Sequence, residues 1–286
     1  MKTRKLIPTT MIAAALLSLS VMTSCKKDNS VSDNSTTEDV NANADRFQES
    51  EGVSSDVDVI SDQAFEMHGV EMRNQSTSDA FGVLTCATVT NDTVHQIITV
   101  DFGTGCTGHN GHIRSGQIII HYNGFNYFAP GFQRTVTFNN YKIDGRLIEG
   151  TRTITNNGYN AANHLNWSIS AQNMRVTRPN GINWHQWNSE RVREMLAGDS
   201  TLTDGTDDIY SITGTATGTN SNGNSCSANI TTALIKEGSC HFRFVSGIIE
   251  ITSSNHPTLT LDYGNGTCDD LATVTRNGVT VTIHIH

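Results

Sequence analysis

Two stretches of the chain combine acidic residues with closely spaced glycines, an arrangement that can bind calcium. Asp262, Asp269 and Asp270 lie around the glycine turn at residues 264–266, and residues 101–105 repeat its Asp-aromatic-Gly-x-Gly pattern. Calcium prefers several oxygen ligands, from carboxylates and carbonyls, on a tightly turning chain. Aspartate in a turn also accepts hydrogen bonds from nearby backbone N–H groups. A glycine-rich turn without metal is therefore the favoured interpretation, and a structural calcium site at the three aspartates is the alternative.

A second candidate site is the pair Trp184 and Trp187, with Asn183 and Asn188 beside them. Aromatic faces can stack on the C–H groups of a sugar, and amides can hydrogen-bond its hydroxyls. Side chains alternate between the two faces of a strand, so these rings would point in opposite directions unless the chain bends or bulges between them. Core packing is thus the favoured role of the two rings, and a polysaccharide-binding platform is the alternative.

Signs of catalysis are few. The sequence has no GxSxG, HExxH, Walker A or dinucleotide-binding motif. Glu149, Glu190 and Glu250 could supply the carboxylate pair of a glycosidase, but any β-rich protein offers as many acids. We therefore assign no catalytic residue and expect a non-enzymatic protein.

The N-terminal residues have the order of a secretory signal. Three basic residues among the first five precede an apolar stretch, residues 11–21, that is too short to span a bilayer. Residues 22–25, Met-Thr-Ser-Cys, resemble the lipobox of lipoprotein signal peptides, with Met in place of the commoner Leu. The sequence therefore predicts a signal peptide at residues 1–24 and acylation of Cys25. The lipid would anchor the protein at the outer membrane, on its periplasmic or cell-surface face.

The charge of the chain argues against nucleic acid as a partner. Its formal net charge is −9, and removal of residues 1–24 takes away three basic and no acidic residues, which leaves −12. A strongly acidic protein repels phosphate backbones. We expect contact with the membrane through the N-terminal lipid alone.

The residues that follow Cys25 predict a tether and then a helix. Residues 25–50 are rich in Ser, Asn, Asp and Thr, a composition typical of a flexible tether. An apolar stripe of helical spacing then predicts a short helix over residues 54–73, capped by Ser54 or Ser55.

From residue 81 onward the pattern becomes that of β-strands. Short runs rich in Val, Ile, Thr, Tyr and Phe alternate with Gly, Asn and Asp turns. Hairpin turns are predicted at Asn91-Asp92, Asp144-Gly145, Asn222-Gly223 and Asn277-Gly278. About a dozen such strands predict an all-β fold, either an antiparallel sandwich or a strongly curved, half-open barrel. With the helix, these strands would form a single domain over residues 51–286.

A two-copy internal repeat predicts the disulfides. Residues 99–106, the turn 114–116 and the strand 117–122 are echoed by residues 260–268, the turn 276–278 and the strand 279–285. With Cys25 acylated, five cysteines remain in an oxidising compartment, and an odd number leaves one of them unpaired. Cys106 and Cys268 are equivalent in the repeat, and each follows another cysteine. The predicted bridges are Cys86–Cys106 and Cys240–Cys268, with Cys226 free.

The same stretches carry a family resemblance. They resemble uncharacterised lipoproteins of Bacteroidetes-type bacteria, over roughly residues 80–286, in the segments DFGTGC…RSGQIII, DYGNGTCD and FNNYKIDGRLIEGT…DDIYSITGTATGTNSNGNS. Residues 26–28, Lys-Lys-Asp, are similar to signals that send such lipoproteins to the cell surface. The resemblance implies a location and no established activity, although surface lipoproteins of these bacteria commonly serve glycan capture.

These observations together predict a membrane-anchored, exported lipoprotein with a non-enzymatic binding or structural role. The first alternative is a glycan-binding accessory lipoprotein, and the second is a glycoside hydrolase on a β scaffold.

Overall fold

The computed structural model describes residues 37–67, 83–108, 110–124, 126–201, 205–240, 243–254 and 256–285. The predicted signal peptide, Cys25 and the first part of the predicted tether lie outside these residues. Among the helices of the described part, none has the length and apolar character that a membrane crossing requires.

One long helix precedes the strands in the described part of the chain. Helix α1 spans Thr37–Glu66, and a short 3-10 turn occupies Gly238–Cys240. The strands are β1 (Thr88–Asp92), β2 (Ile97–Asp101), β3 (Cys106–Thr107), β4 (Ile113–Tyr122), β5 (Gln133–Ile143), β6 (Arg146–Tyr159), β7 (Leu165–Thr177), β8 (Trp184–Ala197), β9 (Ile209–Asn220), β10 (Ser225–Glu237), β11 (Arg243–Ser253), β12 (His256–Asn265), β13 (Leu271–Arg276) and β14 (Val279–His284).

Helix α1 is longer than the sequence predicted. It begins at Thr37, so the predicted tether of residues 25–50 already contains its first turns. The prediction was wrong here because those turns have almost no apolar stripe of their own. Their helical form depends on contacts with the sheet, which involve Phe47 and Glu49, and packing decides such cases more than composition does. Residues 68–73 of the predicted helix lie outside the described residues.

The strands form one antiparallel sheet in which chain neighbours are sheet neighbours. The order runs β1-β2-β4-β5-β6-β7-β8-β9-β10-β11-β12-β13-β14, with β3 paired to β4 beside it. In the described part of the chain β1 and β14 are the two ends of this order, so the sheet does not close. The predicted all-β class is confirmed, and the open single sheet fits the half-open barrel.

Contacts with α1 show that the sheet is strongly curved. Side chains of α1 bond to residues on β4, β5, β6, β8 and β10. In a flat sheet β4 and β10 would be six strand spacings apart, about 29 Å. A helix with its side chains is only about 10–12 Å wide. The sheet must therefore wrap around α1, which lies against its inner face.

Glycines inside strands allow part of this bending. Gly116 in β4 and Gly150 in β6 have φ angles of +78° and +117° and lie where the pairing register shifts. A Cβ atom at Gly116 would stand 2.2 Å from the carbonyl oxygen of Asn140 on the next strand, and one at Gly150 would stand 2.6 Å from that of Asn173. Such bulges bend a strand and increase its twist.

The hairpin predictions hold in most places. Asp144-Gly145 and Asn277-Gly278 join paired strands with positive φ at both residues, as a type I′ turn requires. Residues 221–224, which contain Asn222-Gly223, likewise join β9 to β10. The first hairpin is displaced. Strand β1 continues through Asp92, and the turn occupies residues 93–96 because the Asp92 carboxylate accepts the N–H groups of Val94 and His95.

The internal repeat holds in its first half only. Asp101 and Asp262 each accept a hydrogen bond from the N–H of the glycine two residues further on, at 2.7 and 2.8 Å. The second halves differ, because residues 114–116 lie inside β4, whereas Asn277-Gly278 is a hairpin turn. The two copies are thus equivalent at the glycine turn and diverge after it.

Candidate functional site

Five acidic residues of α1 lie in two lines along the helix, one beside its buried apolar stripe and one on the nearly opposite side. Val53, Val57, Ile60 and Ala64 form that stripe. At about 3.6 residues per turn, two of the acids lie roughly 50–70° from the centre of the stripe and the other three roughly 130–170° from it. The two lines are Glu49 and Asp56, and Glu51, Asp58 and Asp62.

Each of these acids pairs with an arginine on the inner face of the sheet, and Glu49 also pairs with Arg178 in the loop that follows β7. The pairs are Glu49 with Arg146 and Arg178, Asp56 with Arg114, Glu51 with Arg191, Asp58 with Arg152, and Asp62 with Arg134. Arg114, Arg134, Arg152 and Arg191 are buried. Because an unpaired buried charge is costly, the helix and the sheet face depend on each other.

The carboxylates of Asp58 and Asp62 show how burial and pairing compete. Burial raises the pKa of Asp58, but Arg152, which donates two hydrogen bonds to it, together with neighbouring arginines holds that pKa below its usual value. For Asp62, burial outweighs the attraction of Arg134 and raises the pKa. Asp58 is thus the more firmly ionised of the two.

Near the N-terminal half of α1, two rows of paired residues cross β8, β9, β10 and β11 on the inner face. The rows are Trp187–Gly218–Cys226–Ser253 and Ser189–Ala216–Ala228–Ile251. The middle of the first row is Gly218 and Cys226, and that of the second is Ala216 and Ala228. These small residues leave space between the sheet and the helix that crosses it.

This space forms a pocket of about 130 Å³, here called the inner pocket. Its apolar wall consists of Phe47 from α1 with Trp187, Ala216, Ala228 and Ile251 from the sheet. Helix α1 therefore covers one side of the inner pocket, and the two rows of paired strand residues bound the other side.

A second, wider and more polar pocket of about 450 Å³ adjoins it and is here called the outer pocket. The residues that line both pockets are Arg46, His185, Asn220 and Asn222. Those that line the outer pocket alone are Arg178, Asn180, Asn183, Trp184 and Ser221. The outer pocket therefore adjoins the inner one at the four shared residues, and its polar lining is here also called the entrance.

The two hairpin loops that form this entrance are held by their own asparagines. The Asn180 side chain accepts the N–H groups of Ile182 and Asn183, both at 3.0 Å. The Asn220 side chain does the same for two N–H groups of the other loop, at 2.9 and 3.2 Å. A backbone bond from Ser221 to the carbonyl of Trp184 joins the loops at 2.9 Å. These hydrogen bonds fix the shape of both loops.

His185 stands where the two pockets meet. Its ring stacks on Trp187, with centroids 5.5 Å apart, and its Nδ1 lies 3.6 Å from a carboxylate oxygen of Glu49. Its Nε2 is buried and has no hydrogen-bond partner among the described residues. Burial lowers the pKa of His185 to about 4, so the imidazole is neutral at pH 7.

The structure does not bring Trp184 and Trp187 together on one face of β8. The β8–β9 register runs without a shift from His185 through Trp187, so no bulge separates the tryptophans. Trp187 is buried in the inner pocket, and Trp184 lines the outer one with the guanidinium of Arg175 4.2 Å from its ring centroid. The rings thus lie in adjoining pockets rather than on a shared platform.

Asn183 and Asn188, which the sequence placed with these tryptophans, are also separated. Asn183 lines the outer pocket, whereas the side chain of Asn188 accepts the N–H of Asn173 at 2.7 Å and lines neither pocket. Only one of the two amides is therefore placed beside a tryptophan in the entrance.

The three aspartates of the candidate calcium site each bond to a different neighbour. Asp262 accepts the N–H of Gly264 at 2.8 Å, Asp269 accepts that of Leu271 at 3.0 Å, and Asp270 lies 2.9 Å from Nδ1 of His284. In the described part of the chain, no group of three acidic, histidine or cysteine side chains is arranged to hold a metal.

The cysteines lie as the repeat predicted. Cys86 and Cys106 form one bridge, with Cα atoms 5.7 Å apart, and Cys240 and Cys268 form the other, at 5.5 Å. Cys226 is free and exposed, and it lines the inner pocket.

The three glutamates considered for glycoside hydrolysis are exposed and lie on different strands. Glu149 is on β6, Glu190 on β8 and Glu250 on β11. Strands β6 and β8 are two spacings apart, about 10 Å, and β8 and β11 three, about 14 Å. Glu149 lies across β7 from Gln186, four residues from Glu190, and this offset adds about 13 Å along the strand. A glycosidase needs its carboxyl groups about 5–10 Å apart across one groove. The structure therefore brings no two of them together as such a pair.

Sequence reasoning missed the joined pockets and the arginines of the inner face. A signal for the arginines was present, because Arg191 and Arg193 lie two residues apart, the spacing of residues on one face of a strand. The small residues Ala216, Gly218 and Ala228 also alternate, but only the pairing of their strands shows that they form one floor.

Comparisons of the chain with protein-family models, with curated proteins and with solved structures gave no match.

Proposed function

We propose that this protein is an exported lipoprotein, acylated at Cys25, that binds a small ligand without catalysis in its joined pockets. The observation that carries the proposal is a polar outer pocket that adjoins an inner pocket with an apolar wall. Binding sites typically combine such an apolar lining with a few placed polar groups. The lipobox-like residues 22–25 support the anchor.

Fractionation of cells that express a Cys25→Ala variant tests the anchor. The variant should move from the membrane fraction to the soluble periplasmic or medium fraction, because the lipid would be its only attachment. A Cys226→Ala variant is the matched control and should stay with the membrane. A Cys25→Ala protein that still sediments with membranes would overturn this part of the proposal.

Thermal unfolding of the mature protein with a panel of neutral polysaccharides and small organic carboxylates tests the binding role. A ligand of the folded state raises the midpoint by mass action. We expect at least one class to raise it, and Ala216→Leu, which fills the inner pocket, or Trp184→Ala, which opens the outer one, to remove the effect. If no member raises it, a structural role is favoured instead.

Glycan binding is the second candidate, supported by the composition of the outer pocket. Trp184 lies there with the amide side chains of Asn180, Asn183 and Asn222, and amides suit sugar hydroxyls. Calorimetry with neutral polysaccharides should show binding that Trp184→Ala removes and Trp187→Ala preserves, because only Trp184 faces the wider pocket. Equal loss in both variants would contradict the placement.

A further inference from the structure

The chain contains seven Asn-Gly pairs, a dipeptide in which asparagine can lose its side-chain amide without an enzyme. The pairs begin at Asn110, Asn123, Asn157, Asn180, Asn222, Asn265 and Asn277. We infer that the fold protects six of them and leaves Asn277-Gly278, the turn between β13 and β14, as a site of spontaneous deamidation.

The reaction needs only the two residues and water. The backbone nitrogen of the glycine attacks Cγ of the asparagine, the bond from Cγ to the amide nitrogen breaks, and ammonia leaves with the proton of the glycine N–H. Water then opens the succinimide at either carbonyl and gives aspartate or isoaspartate. Glycine favours the attack because it has no side chain to obstruct it. The glycine N–H and the asparagine side chain must therefore both be free to move.

In five of the seven pairs the attacking nitrogen already donates a hydrogen bond. The acceptor is a backbone carbonyl at 2.8–2.9 Å in four of them and the side chain of Asn156 at 2.7 Å in the fifth. The five glycines are Gly111, Gly158, Gly181, Gly223 and Gly266. Each of these pairs must lose a native hydrogen bond before it can react.

The two remaining pairs differ in the asparagine side chain. Asn123 accepts the N–H of Gln133 at 2.7 Å and donates to the carbonyl of Gly131 at 2.9 Å, so both ends of its amide are held. Asn277 and Gly278 are exposed, and among the described residues neither the Asn277 side chain nor the Gly278 N–H has a hydrogen-bond partner. In this part of the chain, only Asn277-Gly278 has both reacting groups free.

The position of this turn in the sheet also favours the reaction. Both residues have positive φ, +50° and +76°, and the chain must leave this turn conformation to cyclise. Local opening costs least where a segment has few partners. Strand β14 pairs with β13 alone and ends the strand order, so this hairpin can open without disturbing a third strand. The turn at residues 221–224 instead joins β9 and β10, which are each paired on both sides.

Deamidation at this turn would loosen the last strand. Isoaspartate carries the main chain through the former side chain, which adds one backbone atom to a two-residue type I′ turn whose geometry is closely defined. The pairing of Arg276 with Val279 should fail first, and β14 should then separate from β13. The modification would therefore release the C-terminal strand slowly and irreversibly.

Peptide mapping of the mature protein by mass spectrometry, after timed incubation at mildly alkaline pH, tests the inference. A deamidated peptide gains the mass difference between water and ammonia. In the native protein Asn277 should react at least about fivefold faster than any other Asn-Gly pair, because one native hydrogen bond slows opening by about that factor. In concentrated urea the seven rates should converge, because glycine follows the asparagine in every pair.

Two variants locate the reaction and its consequence. Asn277→Gly should remove it and keep the turn, because glycine also adopts positive φ. Asn222→Gly is the matched control in the turn between β9 and β10, and it should leave the rate at Asn277 unchanged. Hydrogen exchange of β14 should become faster as isoaspartate accumulates in the wild type and stay constant in Asn277→Gly.

The inference is overturned if another Asn-Gly pair reacts first in the native protein, or if all seven react at equal rates. It is also overturned if the native ranking persists unchanged in urea, because the neighbouring residues and not the fold would then set the rates. Undiminished protection of β14 in the isoaspartate form would contradict the release of that strand.

Discussion

Arg152 on β6 donates two hydrogen bonds to the carboxylate of Asp58 on α1, from Nε at 2.7 Å and from Nη2 at 2.8 Å. This two-point contact is one of the ion pairs that hold the helix inside the curved sheet. Asp58→Asn should lower the free energy of unfolding by about 3 kcal/mol, because it leaves the buried Arg152 without a counter-charge.

Urea unfolding measures this loss. Glu149→Gln is the matched control, since Glu149 is an exposed acid on the same strand as Arg152. It should change the stability by less than about 0.5 kcal/mol. Equal effects of the two substitutions would show that the pair of Asp58 and Arg152 adds nothing.

His185 should make the fold less stable in mild acid. Its pKa is lowered from 6.5 in the unfolded chain to about 4 by burial, with Arg178 and Arg46 acting in the same direction and Glu49 opposing them. Between these values the unfolded chain takes up a proton that the folded state does not. The contribution of His185 to the free energy of unfolding is therefore fully present above pH 6.5. It is lost as the pH falls towards 4, and the total loss is about 3 kcal/mol.

A His185→Gln variant should show a correspondingly flatter decline of unfolding free energy between pH 6.5 and 4. Urea titrations at several pH values give the comparison. The pKa of Asp58 is lowered, so its contribution to stability is lost only at more acidic pH. In both proteins the unfolding free energy should therefore keep falling below pH 4. Parallel curves for wild type and variant would contradict the assignment.

Gly150 should not tolerate a side chain. Gly150→Ala would set a methyl group 2.6 Å from the backbone of β7 at a φ of +117°, and we expect a loss of about 3 kcal/mol or more. Gly181→Ala is the matched control, because its φ of +71° is also positive but nothing lies within 4 Å of the new Cβ. It should cost about 1 kcal/mol. Thermal unfolding compares the two, and similar losses would rule out the close approach as the cause.

The two bridges should stabilise the domain independently of Cys226. Replacing Cys86 and Cys106 together by alanine should cost about 3 kcal/mol in the loop-entropy model, whereas Cys226→Ala should change stability little. Non-reducing peptide mapping of the mature protein should find Cys240 linked to Cys268 and Cys226 as a thiol. A linkage that includes Cys226 would contradict this pairing.

The sequence was most informative where local chemistry decides the structure. Asp144 and Gly145 form a type I′ turn in almost any context, because both tolerate positive φ. The cysteine pairs followed from equivalent positions in the glycine turns. These features depend on residues that are close along the chain or related by the repeat.

The start of α1 and the pockets could not be predicted, because both depend on residues distant in sequence. Glu49 is ordered by Arg146 and Arg178, and no local pattern reveals those partners. The inner pocket exists because Gly218 pairs opposite Trp187. A register shift of one residue would turn a different set of side chains inward.

The central position of α1 also has a consequence for the order in which the chain folds. The helix is the first described element to be synthesised, yet its arginine partners follow much later, 58 residues on for Asp56 and 140 for Glu51. Closing such long loops is entropically slow. Because the first turns of this helix depend on contacts with the sheet, they should become fully helical only after the sheet has formed. The element at the centre of the finished domain is therefore among the last to be completed.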